Sequence, residues 1–284
     1  MNFWKIIIDA LMDSVKMLPF LYAAFLLMEY IEHKAGDKLA AALEKAGHST
    51  LAGSGLGAAL GCIPQCGFSI AAANLYSSRI IGAGALMAVF ISTSDEAVPV
   101  LLAHPDMAGK LWGLIAVKII IAIIMGGLFG VIMKKLFKND DDPCFEEICT
   151  ECGCGEHGIW FSSLKHTVKI FLFILLVNLI LGFVLGIAGE ERLKIFLEGL
   201  GIFQPFAAAL VGLIPNCASS VVLTELYASG AISFGTAAGG LCSGAGMGLA
   251  VLFKANKNLK ENSAFLLYLL LTGGLAGVIL NMIF

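Results

Sequence analysis

The sequence predicts an all-α polytopic membrane protein that consists of two inverted-topology repeats. Hydrophobic residues make up 58% of the 284 positions and charged residues only 14%, whereas soluble domains carry about 25% charged residues. The motif Gly-Cys-Ile-Pro-Gln-Cys at 61–66 recurs as Gly-Leu-Ile-Pro-Asn-Cys at 212–217, and the copies continue without a gap past Ser92 and Ser243 at a constant offset of 151 residues. Interrupted apolar segments at equivalent positions of two halves are typical of membrane transporters.

The repeat extends beyond this motif. Gly126-Gly127 near the end of the first copy matches Gly273-Gly274 near the end of the second. The first membrane repeat is therefore predicted to cover residues 1–137 and the second to cover 160–284. The residues between them, 138–159, are rich in Cys, His and acidic side chains, and they form a predicted linker.

The first repeat divides into five predicted pieces. They are a spanning helix at Asp9–Glu32, an amphipathic interfacial helix at Gly36–Gly47, a segment at Thr50–Ser78 broken at Cys62–Gly67, a segment at Ile80–Ala103 broken at Ser92–Glu96, and a final span at Lys110–Met133. The second repeat is predicted to follow the same order, with breaks at Pro215–Ser220 and Ser243–Gly248. Proline explains one break in each repeat because it lacks a backbone N–H and interrupts helices.

The topology depends on how Thr50–Ser78 is arranged. Its arms have about 12 residues each, or about 18 Å of helix, which is too short to cross a bilayer alone. The segment is either a re-entrant hairpin, which gives an odd number of crossings and inverts the second repeat, or one discontinuous span, which leaves the repeats parallel. Inversion places Lys254, Lys257 and Lys260 on the side of the linker, as expected for a cytoplasmic linker. We therefore predict Pro-broken hairpins and discontinuous helices, with about ten transmembrane helices counting hairpin arms.

The residues at the four breaks are the candidate binding residues. Irregular backbone at membrane depth is tolerated only where it is buried in protein or lines a wet cavity. Amide side chains there offer donors and acceptors, and thiols offer soft sulfur for thiophilic ions. The predicted substrate-binding residues are Pro64, Gln65, Cys66, Ser92, Thr93, Ser94, Asp95, Glu96, Pro215, Asn216, Cys217 and Ser243.

Asp95 and Glu96 are adjacent carboxyls in an otherwise apolar segment. Ionisable groups inside a membrane are costly and are therefore functional by default. We predict that both bind a metal ion, carry a coupling proton, or do both, with Cys66 and Cys217 as further metal ligands. Glu225 is a third predicted coupling residue. The alternative for Asp95 and Glu96 is that they cap a half-helix that begins at the break.

Three further residues have simpler interpretations. Cys62 and Cys242 have no cysteine at the equivalent position of the other repeat, so they are expected to pack as small hydrophobic residues. Lys118 lies eight residues inside its predicted span. It is expected to be paired or to extend toward the interface.

The linker combines soft ligands with acidic residues. Its spacing is Cys-x4-Cys-x2-Cys-x-Cys-x2-His, formed by Cys144, Cys149, Cys152, Cys154 and His157. Thiolates and imidazole select zinc, copper(I) and other thiophilic ions. We predict a flexible cytoplasmic loop that samples or senses metal. If the loop lay outside the cell, a disulfide pair would be the better interpretation.

The motif residues resemble a known family. Cys-Ile-Pro-Gln-Cys-Gly-Phe-Ser at 62–69, Asn-Leu-Tyr at 74–76 and Phe-Ile-Ser-Thr-Ser-Asp-Glu-Ala-Val-Pro at 90–99 are similar to the ten-helix heavy-metal exporters of prokaryotes. These proteins are also called arsenic efflux proteins or manganese transporters. Leu-Met-Glu-Tyr-Ile-Glu-His at 27–33 and Ile-Pro-Asn-Cys-Ala-Ser-Ser at 214–220 extend the resemblance over essentially the whole chain. The resemblance implies metal or metalloid efflux and five helices in each half.

Two classes of transporter remain open. The first is a secondary-active exporter of a heavy-metal or metalloid ion (Mn, Zn, Cu or trivalent arsenic), which alternates access around the breaks. Because the chain has no Gly-x4-Gly-Lys-Ser/Thr motif for nucleotide binding, coupling to protons or to the membrane potential is expected. The second is a sodium- or proton-coupled carrier of an anion or small organic acid, which half-helix N-termini would hold.

The remaining expectations follow from the same features. No catalytic constellation is found, so neither enzymatic activity nor a cofactor is expected, apart from a transported or regulatory metal ion. A membrane metal sensor without transport is a third alternative, in which the linker is essential and the breaks are dispensable. The expected partners are the lipid bilayer, the ion and, as an open option, a second copy of the chain as a homodimer. Nucleic acid is not expected, and the predicted location is the inner membrane of a prokaryotic cell.

Overall fold

The computed structural model describes residues 50–62, 67–93, 97–103, 107–136 and 199–284, with scattered helical residues between 8 and 26 and between 164 and 180. These residues are helical apart from turns and helix breaks, and none of them lies in a β-strand. The helices are α1 (Thr50–Gly61), α2 (Gly67–Ser77), α3 (Ala83–Ser92), α4 (Ala97–Ala103), α5 (Ala108–Leu136), α6 (Gln204–Gly212), α7 (Cys217–Ala228), α8 (Phe234–Ser243), α9 (Met247–Ala255) and α10 (Leu259–Ile283), and a 3-10 turn at Gly201–Phe203 precedes α6.

Short polar signals fix the ends of several helices. Ser233 caps α8 by accepting a hydrogen bond from the Thr236 N–H. Asn258 caps α10 by accepting from the N–H groups of residues 260 and 261. Pro205 occupies the first turn of α6, where its missing N–H costs nothing because that group has no partner inside the helix.

The broken segments form pairs of short helices, as the sequence predicts. α1 and α2 cover the predicted Thr50–Ser78 segment, and α3 ends at Ser92, where the second break was expected. The breaks of the second repeat are shorter than predicted, since α7 begins at Cys217 and α9 begins at Met247. The reason at α7 is that the Asn216 side chain caps the helix directly after Pro215, so Cys217–Ser220 can be helical.

Within each repeat, the first and third helices lie side by side in the same direction. In the first repeat Gly57 faces Ala85 and Gly61 faces Ser92, so α1 and α3 progress together toward their breaks. In the second repeat Gly240 faces Ala208, and Gly212 faces Gly240 and Ser243, which gives α6 and α8 the same relation. The C-terminal ends of α1 and α3 are therefore at one level, and so are those of α6 and α8.

The long helix of each repeat runs opposite to the third helix. Gly84 of α3 faces Gly126 and Gly130 of α5, while Ala88 faces Gly126. In the second repeat, Gly235 of α8 faces Asn281 of α10 and Gly239 faces Gly273. Because small residues let backbones approach closely, these glycine contacts set the tight packing of both repeats.

The two repeats join at one end of the helices through α2 and α9. Gly248, at the start of α9, faces Ser69, near the start of α2. At the other ends of these two helices, the Tyr76 hydroxyl and the Asn256 amide both donate to Glu261, each at 3.0 Å. α2 and α9 therefore run in the same direction toward this end, which we call the Arg79 face. The opposite end, where Lys110 lies 5.7 Å from the Tyr227 ring centroid, we call the Lys110 face.

The two long helices, α5 and α10, also meet across the repeats. The Tyr268 hydroxyl donates to the carbonyl of Met125 at 2.9 Å, and the rings of Phe129 and Phe265 are 4.7 Å apart. These contacts make α5 and α10 antiparallel. Phe265 is fully buried and also contacts the rings of Tyr76 and Phe90, so it anchors one core that both repeats share.

Apolar faces on the outside of the long helices indicate that lipid surrounds them. Among the described residues, three stretches are long and apolar enough to cross a membrane, namely Gly109–Leu136, Phe234–Ala255 and Leu259–Ile283. The exposed large hydrophobic residues follow helical spacing on α5 and α10, and they include Ile120, Ile124, Leu128, Leu267, Leu271, Leu275 and Ile279. Soluble proteins rarely expose apolar patches of this kind, so these faces fit a lipid environment.

Several predicted segments lie outside the described residues. They include the interfacial helix at Gly36–Gly47 and the linker at 138–159, while the helix at Asp9–Glu32 is described only at scattered positions. The division into units at 1–137 and 160–284 stays a prediction.

Candidate functional site

The tip of the second repeat is a compact loop at Leu213–Asn216. Asn216 is buried and has an extended backbone, with φ −149° and ψ 143°. Its Oδ1 accepts from the Ala218 N–H at 2.9 Å, and its carbonyl accepts from the Ser219 hydroxyl at 2.7 Å. The amide oxygen is therefore committed to capping α7, whereas the Nδ2 group has no hydrogen bond to another described residue. Asn216 can thus present a donor to the space beyond the loop.

The break between α8 and α9 is open because it is built from small residues. Gly244 leaves the helix with φ −75° and ψ 80°, and Gly246 has φ 54° and ψ −148°. The conformation of Gly246 is essentially restricted to glycine. The two glycines of this break therefore expose backbone without side chains.

The break after α3 directs a backbone carbonyl out of the helix. The Thr93 hydroxyl and N–H both bond to the carbonyl of Val89, at 2.7 and 3.0 Å. These bonds hold Thr93 at the end of α3 with φ −52° and ψ 126°. The Thr93 carbonyl therefore points away from the helix, toward α5.

Lys118 joins the breaks of the two repeats. Its side chain is fully buried in the middle of α5. The ammonium donates to the carbonyl of Thr93 at the end of α3, and to the carbonyl of Leu241 in the last turn of α8 at 2.9 Å. Helix C-termini carry about half a negative charge each. One buried cation thus serves the C-terminal ends of two half-helices that come from different repeats.

A small cavity lies beside this contact. It has a volume of about 20 Å³, which is enough for about one water-sized ligand. Thr93 and Leu241, whose carbonyls accept from Lys118, form part of its wall. The other polar or small lining residues are Gly212, Asn216, Ser219, Ser220, Gly240, Gly244 and Gly246. The cavity therefore brings together both breaks of the second repeat and the end of α3.

The predicted serines Ser92 and Ser243 occupy equivalent packing positions. The Ser243 hydroxyl donates to the carbonyls of Ala209 and Gly240, at 2.7 and 2.8 Å. The Ser92 hydroxyl donates to the carbonyls of Ala88 and Val89 at 2.8 and 3.2 Å, and it lies against Gly61. The Ser243 hydroxyl thus joins α8 to α6 near the break, whereas both of these Ser92 acceptors lie within α3 itself. The predicted contact of both serines with substrate stays a prediction.

The other predicted site residues are distributed unevenly. Cys217 is the first residue of α7, beside the break. Glu225 lies two turns further along α7 and is exposed, which is about 12 Å of helix from Cys217. Pro215 is in the loop and is half-buried. The remaining predicted binding residues lie outside the described residues; they are Pro64, Gln65, Cys66, Ser94, Asp95, Glu96, Cys144, Cys149, Cys152, Cys154 and His157.

Within the described residues no group of three or more His, Cys, Asp or Glu side chains could hold a metal ion. Cys62 and Cys242 are free thiols; the first is half-buried and the second is fully buried.

The role of Lys118 at the breaks is what sequence reasoning missed. Its position inside an apolar span was a signal that it would be paired, and pairing is found. The partners are main-chain carbonyls of residues far away in the chain, for which the sequence carries no pattern. Sequence reasoning also missed the ion pair of Arg79 and Glu261 at 3.2 Å, because the two residues are 182 positions apart in the chain.

A comparison with protein-family models identifies the chain. Residues 2–191 match the model described as "Putative, 10TM heavy-metal exporter". The chain belongs to this family. The matched range contains α1 to α5, with the first Pro-Gln-Cys break, the run Ser92–Glu96 and Lys118. A search of curated proteins and a search of solved structures found no match.

The family confirms the predicted class of protein at a coarse level. The chain is a multi-pass membrane protein, and the description of its family names heavy-metal export. A protein of this kind resides in a lipid bilayer and handles a metal ion.

Proposed function

We propose that the protein is a secondary-active exporter of a heavy-metal or metalloid ion and that it alternates access around the four helix breaks. The observation that carries this proposal is the contact of Lys118 with the ends of α3 and α8. Discontinuous helices of two repeats meet there, next to a cavity. Secondary transporters place substrate and coupling ions at such a meeting point near the membrane midplane.

We further propose that the repeats are inverted and that α1–α2 and α6–α7 are re-entrant hairpins. α1 and α3 run in the same direction and α2 connects them, so α2 returns toward the end where α1 begins. α3 and α4 then continue past the break to the opposite end, where α5 starts. In the second repeat the same order begins at the Lys110 face, because α5 and α10 are antiparallel. This arrangement supports an odd number of crossings in each repeat.

The orientation follows from basic residues. Because α5 ends at the Arg79 face, the linker leaves from there. Lysines within the described residues lie mostly near this face, at positions 134, 135, 254, 257 and 260, whereas Lys110 lies at the opposite end. Basic residues favour the cytoplasmic side. We therefore place the Arg79 face and the linker in the cytoplasm of a prokaryotic cell, where the linker thiols would sample metal.

Alternating access needs a surface that opens on each side. α2 and α9 form the contact between repeats on the Arg79 face, and α4 and α7 form its counterpart on the Lys110 face, where fewer described residues meet. Among the described residues, the contact on the Arg79 face is therefore the more extensive of the two in this conformation. We propose that transport alternates between a state closed on the Arg79 face and a state closed on the Lys110 face. Asp95 and Glu96 bind the ion or carry the coupling proton.

The test is flux in proteoliposomes. Purified protein would be reconstituted and exposed to Mn(II), Zn(II), Cu(I), Cd(II), arsenite and methylarsenite, with and without an imposed pH gradient. Saturable movement of one ion, driven by the gradient, is the expected result. The variant Asp95→Asn should stop or uncouple this flux, and Cys66→Ser with Cys217→Ser should abolish it for a thiophilic ion. Lack of flux for every ion in correctly folded protein would refute the proposal.

One observation favours a second candidate, a coupled carrier of an anion. The cavity lies between a buried ammonium and the N-terminus of α7, where Asn216 caps the helix. Both features attract negative charge. Sodium-dependent uptake of an anion, unchanged by loss of the two thiols, would support this function in place of metal export.

A further inference from the structure

Two half-helix ends of like polarity face one buried cation. α3 belongs to the first repeat and α8 to the second, yet both direct C-terminal carbonyls at Lys118. In transporters, unwound carbonyls and the C-terminal ends of half-helices coordinate cations. An ammonium and a metal cation require the same oxygen ligands, so only one of them can hold this position at a time.

The repeat itself marks Lys118 as more than packing. By the register that aligns Gly126 with Gly273, the position equivalent to Lys118 is Phe265. Phe265 is buried in the apolar core, where its ring contacts those of Tyr76, Phe90 and Phe129. An apolar side chain thus suffices at this point of the second long helix. A fully buried lysine is expensive in a membrane, so its retention at the breaks indicates that a positive charge is needed there.

We propose that the backbone oxygens of Thr93 and Leu241 form a cation site, which the Lys118 ammonium fills in this conformation. Its ligand class is a small cation that accepts carbonyl oxygens, including a primary ammonium. When Lys118 withdraws, the site is available to a transported cation; this last step rests on the proposed export function, whereas the site itself does not. Lys118 therefore acts as a tethered competitor of the substrate.

The site can be tested without transport. Lys118→Ala removes three methylenes and the ammonium, which are the atoms of n-propylammonium. The midpoint temperature of unfolding, Tm, would be measured in detergent with increasing n-propylammonium chloride, with tetramethylammonium chloride and 1-propanol as controls. We expect Lys118→Ala to unfold below wild type and to gain about 3 °C or more, saturably, with n-propylammonium alone.

Three further proteins make the result specific. Wild type and Lys110→Ala, which alters the same helix at its exposed end, should not respond to the amine. Lys118→Met fills the space without charge, so it should unfold below wild type and should also not respond. If Lys118→Ala folds only when the amine is present during expression and purification, the proposal is supported.

Two outcomes would overturn the proposal. One is a Lys118→Met protein as stable as wild type, because the ammonium would then contribute nothing to the carbonyl pair. The other is a Tm of Lys118→Ala that does not rise with the amine, or that rises equally in all the proteins. A Lys118→Ala protein that fails to fold both with and without the amine counts as the same negative result. A specific response together with no metal flux would leave the cation site intact and would refute the export function alone.

Discussion

The two repeats contact each other differently on the two faces, although equivalent helices form both contacts. α2 and α9 meet on the Arg79 face, and their equivalents α7 and α4 meet on the Lys110 face. On the Arg79 face, Glu261 is fully buried and pairs with Arg79 through two hydrogen bonds of 3.2 Å. Tyr76, Asn256 and Asn258 each donate to the same carboxylate at 3.0 Å. On the Lys110 face, the equivalent tyrosine is Tyr227. Among the described residues, the polar group in contact with it is the Lys110 ammonium, which lies over its ring.

The backbone makes the difference sharper. Arg79 and its equivalent, Gly230, both end a helix with positive φ, at 59° and 76°. Glycine adopts this conformation without strain, whereas other residues do so at a cost of about 1–2 kcal/mol. The first repeat carries arginine at this strained position because its guanidinium binds Glu261 of the second repeat. A contact between the repeats, rather than local backbone preference, therefore accounts for arginine at position 79, which lies on the cytoplasmic side in the proposed topology.

The largest effect is expected from Glu261→Ala. This change leaves the partly buried Arg79 guanidinium and three polar side chains without their acceptor. Breaking a buried ion pair from one side costs about 3–5 kcal/mol, so the free energy of unfolding in detergent should fall by that amount. The neighbouring exposed change Lys260→Ala should alter it by less than about 0.5 kcal/mol. Equal losses in both variants would show that the carboxylate does not tie the repeats together.

The sequence predicts the parts of this comparison that are local. The offset of 151 residues correctly pairs Arg79 with Gly230, and the Pro and Gly signals place the breaks within a few residues. It does not predict that Arg79 and Glu261 meet, because they are 182 positions apart and belong to different repeats. The same holds for Lys118, since the carbonyls that it binds exist at every residue. Folding the two repeats against each other decides both contacts.

The second largest effect separates the two equivalent tyrosines. Tyr76→Phe removes a buried hydrogen bond to a charged group, which contributes about 1.5–3 kcal/mol. Tyr227→Phe removes a hydroxyl that has no hydrogen bond to another described residue, so its effect should stay within about 0.5 kcal/mol. Both would be measured as free energies of unfolding under identical conditions. A similar loss for the two variants would mean that the faces are equally bound together.

The smallest effect concerns the backbone at the two turns. Gly230→Ala should destabilise the protein by about 1 kcal/mol because alanine is strained at φ 76°. Among the described residues no atom lies within reach of the added methyl group, so backbone strain is the expected cost. Gly113→Ala is the matched control, since it also adds a methyl group in open space but lies within helix α5. There alanine is favoured over glycine, and a gain of about 0.5–1 kcal/mol is expected.

The same reasoning can be applied to the strained arginine. Arg79→Ala and Arg79→Gly both remove the partner of Glu261 and should both destabilise the protein. Glycine alone also relieves the strain at φ 59°, so Arg79→Gly should be the more stable of the two by about 1 kcal/mol. A difference of this sign and size would show that the strain exists and that the ion pair outweighs it. Equal free energies of unfolding for the two variants would instead mean that the turn relaxes once the guanidinium is lost.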